Sequence, residues 1–234
     1  LFCPIHPVES FHILRSAPAI QATVEVARMS SFAEVVVAIP QNQSSTNILI
    51  VRPSLCDSFS FFSHRHSDSS FPIAVFKNGQ EKLLHLDVFM RQTAAPLLLQ
   101  TGFQSNILVL SVLPGIPLAL YENQLSLNNV GILLVTNGRG DIPSSLRSLL
   151  KKQAEQNTIV YVVGHPFRSV PLSSFQRGRE LVLLGIHSLP LLSPEAAYIK
   201  LGWVLGQTEE VEQVHILMQT DIVGELTSSL YDEL

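Results

Sequence analysis

Charged residues are scarce in this chain of 234 residues: Asp, Glu, Lys and Arg together make up 15% of it, and the formal net charge is −4. Without an excess of basic residues there is no positive field to attract a phosphate backbone, so nucleic-acid binding is not expected. Hydrophobic residues make up 46% and the mean hydropathy is +0.29. These values exclude a disordered chain and indicate strands buried on both faces, or an apolar surface that a partner covers.

Cysteines and long apolar runs are also lacking. Cys3 and Cys56 are too few for a disulfide framework or a zinc site, so we expect a reducing, cytoplasmic location and no metal or other cofactor. The longest apolar stretch, residues 107–121, contains Pro114 and Pro117 and is shorter than the roughly 20 apolar residues of a membrane helix. We therefore expect no membrane association. No signal or transit peptide pattern is found.

Short apolar runs predict a series of β-strands. In chain order, these runs are residues 33–39, 46–51, 71–76, 106–112, 130–136, 158–163 and 180–185. The later runs are nearly continuous Val, Ile and Leu, which is typical of strands buried on both faces of a parallel sheet.

Amphipathic segments between the later runs predict helices. Residues 143–156 carry one apolar face, and either Asp141 or Ser144 is expected to cap the start of that helix. The apolar residues of this face are Leu146, Leu149, Leu150 and Ala154. Residues 209–219 predict a further helix.

The segment "SPEAAYIKLGWVLGQ" predicts another helix with clear ends. Ser193 is the expected N-cap, Pro194 occupies the first helical position, and Gly206 is expected to stop the helix. Its expected buried stripe consists of Ala197, Leu201, Val204 and Leu205.

From residue 106 onward, strands and helices alternate, which predicts an α/β fold with a parallel sheet. Residues 53–70 are rich in serine and predict a long loop, and residues 77–105 predict a connection between two lobes. We place the domain boundary between residues 104 and 105, which gives domains 1–104 and 105–234.

Three sequence positions with histidine are conceivable ligand sites. In "HRHSD", His64, His66 and Asp68 alternate as metal ligands on one strand face would, but a solvated loop is the favoured interpretation of this serine-rich segment. His165 and His187 each follow a predicted strand, at the edge where α/β sheets bind ligands. For both, a packed and hydrogen-bonded loop histidine is favoured over a pocket residue.

The best candidate site is the segment "TNGRGD", between a predicted strand and a predicted helix. Gly138 and Gly140 permit a tight turn with a close approach to a ligand, and free amides at a helix start favour an anion such as a carboxylate. We expect Gly138, Gly140 and Asp141 to bind substrate. The tripeptide Arg139-Gly140-Asp141 is not expected to be an integrin signal, because such a signal needs an exposed loop of a secreted protein.

Six segments, in their order and spacing, resemble the bacterial-type L-asparaginase/glutaminase family. They are "CPIHPVESFHILRSA", "AEVVVAIPQNQ", "VLSVLPGIPLAL", "LVTNGRGDIPSSL", "LLSPEAAYIKLGWVLGQ" and "LMQTDIVGELT". The similarity is closest to cytosolic type I and ankyrin-bearing animal members. It implies the end of an asparaginase-like N-terminal α/β domain followed by a smaller parallel-sheet α/β C-terminal domain. It also implies an oligomer in which the glycine turn lies near a neighbouring subunit's active site.

The departures from the family pattern bear on activity. The family's two catalytic threonine motifs, T-G-G-T-(I/L) and H-G-T-D-T, are absent, and the opening "LFCPIHP" looks cut from something longer. Arg52 stands at the position of the catalytic lysine, Ala17 at that of an aspartate, and Asp141 at that of an asparagine. The resemblance therefore implies an amidohydrolase converting L-asparagine to aspartate and ammonia, represented by a fragment that is inactive alone. The alternative is an inactive scaffold or interaction subunit; either is expected to be a homo-oligomer or part of a complex.

Overall fold

The fold is described from a computed structural model. It covers residues 3–4, 20, 23–40, 47–55, 72–84, 99–137, 142–165, 172, 176–189 and 192–226. The chain divides into two compact units, Leu1–Leu98 and Leu99–Leu234, called unit 1 and unit 2 below.

Unit 1 contains a five-stranded sheet in the order β1-β2-β3-β4-β5. Its strands are β1 (Cys3–Pro4), β2 (Val37–Pro40), β3 (Asn47–Val51), β4 (Pro72–Lys77) and β5 (Gln80–Leu83). Strands β1 and β2 are parallel, whereas the pairs from β2 to β5 are antiparallel. Residues 23–29 are helical, and Pro53–Leu55 form a short 3-10 turn.

The core of unit 1 joins this sheet to the helical residues 23–29. Val26 from the helix and Phe32 pack with Ile50, Ile73 and Phe76 from the strands, and all five are at most 2% exposed. The predicted strand 33–39 begins only at Val37. The residues before it form a bend, in which Glu34 turns its side chain to an ion pair instead of a sheet face.

Strands β4 and β5 form a hairpin where the sequence predicted only a connection between lobes. Asn78 and Gly79 link the strands with φ of 50° and 76°. Two successive left-handed residues are what the tight two-residue turn of a hairpin requires, and Asn-Gly is the pair that supplies them most readily. The connection predicted over 77–105 is therefore wrong at its start, where β5 is found.

Unit 2 alternates strands and helices. The strands are β6 (Ile107–Ser111), β7 (Gly131–Asn137), β8 (Ile159–His165) and β9 (His187–Ser188). The helices are α1 (Leu118–Leu125), α2 (Ser144–Glu155), α3 (Gln176–Leu183), α4 (Pro194–Gln207) and α5 (Val211–Gln219). The four strands are parallel and lie in the order β6-β7-β8-β9, so the predicted α/β fold with a parallel sheet is confirmed.

Both faces of the parallel sheet are buried at β7 and β8. Successive side chains of β7 point to opposite faces, so Ile132 packs in the cluster that includes Leu146 of α2, while Leu133 packs in the cluster that includes Leu201 of α4 and Met218 of α5. This double burial explains why these strands read as continuous apolar runs.

The helix ends agree with the sequence at one cap and differ at others. Ser193 caps α4 as predicted, since its Oγ accepts a hydrogen bond from the amide of Ala196 at 3.1 Å. The N-cap of α2 is Pro143, so the prediction of Ser144 as that cap is wrong, and Asp141 lies outside the described residues. Gly206 does not stop α4, which continues to Gln207.

Gly206 has a packing role. A Cβ atom at Gly206 would overlap the backbone of Gly102, and a Cβ at Gly102 would overlap the carbonyl oxygen of Gly206. The Nε2 of Gln207 donates to the Gly102 carbonyl oxygen at 2.9 Å. The glycine therefore lets the chain before β6 approach the last turn of α4.

The strand predicted at 180–185 is wrong, because residues 180–183 form the second half of α3 and residues 184–185 form a turn. Leu181 is 1% exposed while Leu183 is 87% exposed, a one-sided burial that suits a helix and not a strand covered on both faces. Gly185, with φ of 78°, ends the helix, and the amide of Ile186 donates back to the Leu181 carbonyl oxygen at 3.1 Å. His187 consequently begins strand β9 and does not follow a strand.

Candidate functional site at the carboxyl end of the parallel sheet

The carboxyl ends of β7 and β8 lie side by side. Asn137, the last residue of β7, pairs in register with His165, the last residue of β8. Strand β6 ends earlier, where Ser111 pairs with Val135 of β7. Open parallel sheets bind ligands at this edge, so the three strand ends define the candidate site.

The segment after β6 is tied to this edge. The amide of Val112 donates to the Val135 carbonyl oxygen at 2.8 Å, and the hydroxyl of Tyr121 donates to the Ser111 carbonyl oxygen at 3.2 Å. Between them, the chain turns at Gly115, whose φ of 87° is readily adopted only by glycine. The turn thus leads directly from the strand end into α1.

Thr136 brings a hydroxyl to the end of β7. The residue is 3% exposed, and its Oγ1 donates to the Val163 carbonyl oxygen at 3.4 Å. A hydroxyl held in this way braces β7 against β8.

The predicted substrate-binding residues Gly138, Gly140 and Asp141, and Arg139 with them, lie outside the described residues. The segment is bounded by Asn137 and by the buried Ile142, so it connects a strand end to the start of α2. Their binding role stays a prediction. His64, His66, Asp68 and Ala17 also lie outside, as does the side chain of His165.

Arg52 in unit 1 is held by a buried carboxylate. Its Nε donates to Glu34 Oε2 at 2.7 Å and its Nη2 donates to Glu34 Oε1 at 2.9 Å. Both side chains are 5% exposed. This two-point geometry suits a guanidinium and cannot be reproduced by a lysine ammonium, so the pair gives Arg52 a structural role.

The sequence analysis singled out His187 but missed that it forms a group of titratable side chains with Tyr161 and His215. The hydroxyl of Tyr161 lies 2.6 Å from Nδ1 of His215, and the ring centroids of His187 and His215 are 4.1 Å apart. The signal available in the sequence was a lone histidine in the otherwise apolar run "VHILM" of α5.

Residues 106–218 match the family described as the glutaminase/asparaginase C-terminal domain. Over this domain the chain is similar to the asparaginase-like family, as a partial and diverged relative. The match covers the parallel sheet and its helices, and so includes the strand ends described above. It confirms the resemblance to asparaginases at the level of family and fold.

Curated relatives include the D-type subunits of glutamyl-tRNA(Gln) amidotransferase from two archaea. The Thermococcus kodakarensis protein is 28% identical over 163 residues, which are 69% of this chain and 37% of that protein. The Metallosphaera sedula protein is 28% identical over 215 residues, which are 87% of this chain and 47% of that protein. This asparaginase-like chain thus spans between about a third and a half of the length of these relatives.

Solved asparaginases share the fold. The thermostable L-asparaginase from Thermococcus kodakarensis superposes with a TM-score of 0.72 at 20% identity, covering 92% of this chain and 63% of that one. L-asparaginase I from Vibrio cholerae gives a TM-score of 0.62 at 22% identity, covering 84% and 57%. Within the described ranges, no helix is long and apolar enough to cross a membrane. Nor do those residues gather three or more His, Cys, Asp or Glu side chains as a metal site would.

Proposed function

We propose that this asparaginase-like chain is part of an amidohydrolase that cleaves the side-chain amide of L-asparagine. The observation that carries the proposal is the side-by-side ending of β7 and β8 at Asn137 and His165. The sequence places the glycine segment, predicted to form a turn, directly after Asn137. Gly138, Gly140 and Asp141 would bind the substrate's polar groups from this turn. The nucleophile would come from threonine motifs that these 234 residues do not contain.

The described residues support a framing role for this chain. Amide hydrolysis through a threonine needs a nucleophile, a base and an oxyanion site held together. Thr136 donates to a backbone carbonyl oxygen, and Arg52 is paired with Glu34. Both contacts are structural, which supports the framing role.

The test is ammonia release from L-asparagine and L-glutamine, measured for this chain and for any longer product of its gene. This chain alone should give no ammonia above background with either amide. A longer product that contains both threonine motifs should hydrolyse asparagine. Clear turnover by the 234 residues alone would overturn the proposal, as would an inactive longer product with both motifs intact.

A non-catalytic subunit is the second candidate, and the Arg52–Glu34 pair favours it. If Arg52 replaces the catalytic lysine, as the resemblance implies, the proton shuttle has become a buried structural pair. The archaeal relatives are named as amidotransferase subunits, which supports a role inside a complex. A longer product without the threonine motifs, purified with a stably bound partner and without amidase activity, would establish this candidate against the first.

Either candidate implies assembly. We propose that the protein forms a homo-oligomer or is one component of a larger complex, since a mean hydropathy of +0.29 indicates apolar surface for a partner to cover. We also propose a cytoplasmic location, because two cysteines in 234 residues suit a reducing compartment.

A further inference from the structure

Two half-buried histidines meet between the parallel sheet and its last helix in unit 2. Tyr161 on β8 and His187 on β9 are register partners, so their side chains project from the same face of the sheet. His215 comes from α5, and its ring lies 4.1 Å from that of His187 and 5.6 Å from that of Tyr161, centroid to centroid. The three rings therefore join two strands to one helix.

The surroundings of this cluster are apolar. Tyr161 belongs to the core formed by α4, α5 and the sheet, and Val214 and Met218 of α5 are fully buried in the same core. An imidazole in such a place is stable in its neutral form, because a charge there loses hydration. The Tyr161 hydroxyl, 2.6 Å from Nδ1, fixes the orientation of the His215 ring.

Among the described residues of the packed elements, the nearby carboxylates are either exposed or bonded to other groups. On α5 the nearest acidic residue along the helix is Glu212, which is exposed. From α4, Lys200 is bound to Glu225, and Glu195 is exposed. In the segment after α5, Asp221 hydrogen-bonds Glu225. The titratable groups that strands β8 and β9 contribute to this contact are Tyr161 and His187 themselves.

The protonation equilibria follow from this arrangement. Burial lowers the pKa of His187 below its ordinary value of 6.5. Burial, and then the charge of His187, lower the pKa of His215 below the same value. Burial raises the pKa of Tyr161, which stays a neutral hydroxyl. Two neutral imidazoles thus pack together well, whereas two imidazolium rings at this distance repel each other.

We propose that the contact of His187 with His215 is an acid-sensitive latch that holds α5 on the parallel sheet. At neutral pH both rings are neutral and the helix is closed. Because an unfolded or released histidine takes up protons more readily than the buried one, closure is favoured above pH 6.5 and is lost progressively as the pH falls below it. Release of α5 exposes the apolar side chains of Val214 and Met218.

The segment after α5 contains an anchor that survives this acidification. Lys200 binds Glu225, and the pKa of Glu225 is lowered to about 2, so the pair stays charged at pH 5. Mild acid should therefore free α5 while residues around Glu225 stay attached to α4. This selectivity separates a latch from general acid unfolding.

The experiment is amide hydrogen exchange of the intact chain at pH 7.5 and 5.5, corrected for intrinsic exchange rates. We expect protection of residues 211–219 to fall by up to about tenfold per pH unit for each proton taken up, while protection of α4 changes little. The double variant His187→Asn/His215→Asn should lose this pH dependence. Glu225→Gln is the control. It should lower the protection of residues 211–219 at both pH values and leave the ratio of protection at pH 7.5 to protection at pH 5.5 unchanged.

Histidine titration by NMR keeps the test decisive if the double variant does not fold. In His187→Asn the pKa of His215 should rise, because the charge that depresses it is gone; a merely structural His187 would not move this titration. Equal protection of α5 in the unaltered chain at both pH values would overturn the latch. So would an unchanged pH dependence in the double variant, or an unchanged His215 titration in His187→Asn.

Discussion

Lys200 and Glu225 form a buried ion pair that ties α4 to the chain after α5. The ammonium of Lys200 lies 2.6 Å from Glu225 Oε1 and donates to the Thr220 carbonyl oxygen at 2.6 Å. The carboxylate also accepts the amide of Val223 at 2.7 Å. With side chains only 5% and 6% exposed, each charge depends on the other for compensation.

Breaking this pair should be costly. Glu225→Gln leaves the Lys200 charge buried, so we expect a loss of roughly 3 kcal/mol in the free energy of unfolding, measured with urea. Lys200→Met should cost a similar amount, and the double variant should lose less than the sum of the two. Strictly additive losses would contradict the direct pairing.

The same pair gives a pH dependence. Burial alone would raise the pKa of Glu225, but hydrogen bonds from Lys200 and from the amide of Val223 outweigh it and lower the pKa from 4.5 to about 2. The folded pKa is depressed, so the stabilisation is complete above pH 4.5 and is lost as the pH falls through about 2. Unfolding of the intact chain and of Glu225→Gln between pH 2 and 6 should converge at the acid end.

Arg52→Lys should destabilise unit 1, although it preserves the charge. A lysine cannot make both hydrogen bonds to Glu34, and we expect a loss of about 1–3 kcal/mol by urea unfolding. Lys82→Arg, at an exposed position of β5, is the matched control and should change stability by less than about 0.5 kcal/mol. A stability unaffected by Arg52→Lys would remove the structural role assigned to the pair.

Gly206→Ala should destabilise unit 2 by about 1–3 kcal/mol, because the added Cβ overlaps the backbone of Gly102 and forces α4 and the preceding chain apart. Ile199→Ala lies in the same helix with a side chain 59% exposed, and serves as control with a change near zero. Thermal unfolding of both variants measures the difference. A Gly206→Ala protein as stable as the control would show that the close approach is not required.

For the glycine segment after β7, one pair of variants distinguishes the predicted strand-to-helix turn from an adhesion signal. Gly138→Val should cost roughly 1–3 kcal/mol if the backbone there is left-handed. Arg139→Ala should stay within about 0.5 kcal/mol. Melting temperatures and integrin binding are measured for both variants. Specific integrin binding that Arg139→Ala abolishes would refute the account of this segment as a strand-to-helix turn.

Assembly is tested by light scattering at micromolar concentration. We expect a dimer or a larger species, because interfaces of permanent oligomers are large and apolar, as this composition suggests. A stable monomer under these conditions would count against the proposed homo-oligomer and would leave a separate partner as the way to cover the apolar surface.

Local patterns in the sequence predicted much of unit 2. The apolar face of α2 is present, with Leu146 and Leu150 fully buried, and the Ser193 cap and Pro194 begin α4 as expected. These features depend on neighbours within about one helical turn, which a sequence displays directly. The Asn78-Gly79 pair that links β4 and β5 is an equally local feature of the sequence.

The errors arose where local patterns are ambiguous. The run "ELVLLG" is short and apolar, so its period does not distinguish a strand from a helix; the one-sided burial of Leu181 decides for the helix α3. Glycine is typical of a helix end, but α4 continues through Gly206 to Gln207. At this position the glycine permits a close approach to Gly102, far earlier in the chain.

The sequence by itself determined the alternation of strands and helices, the parallel sheet of unit 2 and the resemblance to asparaginases, because periodicity, caps and motif order are local or linear properties. Only the tertiary structure decided which charges and rings meet. Arg52 pairs with Glu34, which is 18 residues away in the sequence, and Tyr161 contacts His215, which is 54 residues away. Such pairs form when packed elements bring polar groups into a low-dielectric interior, where each group needs a partner. The sequence around one partner does not indicate which distant residue the other partner is.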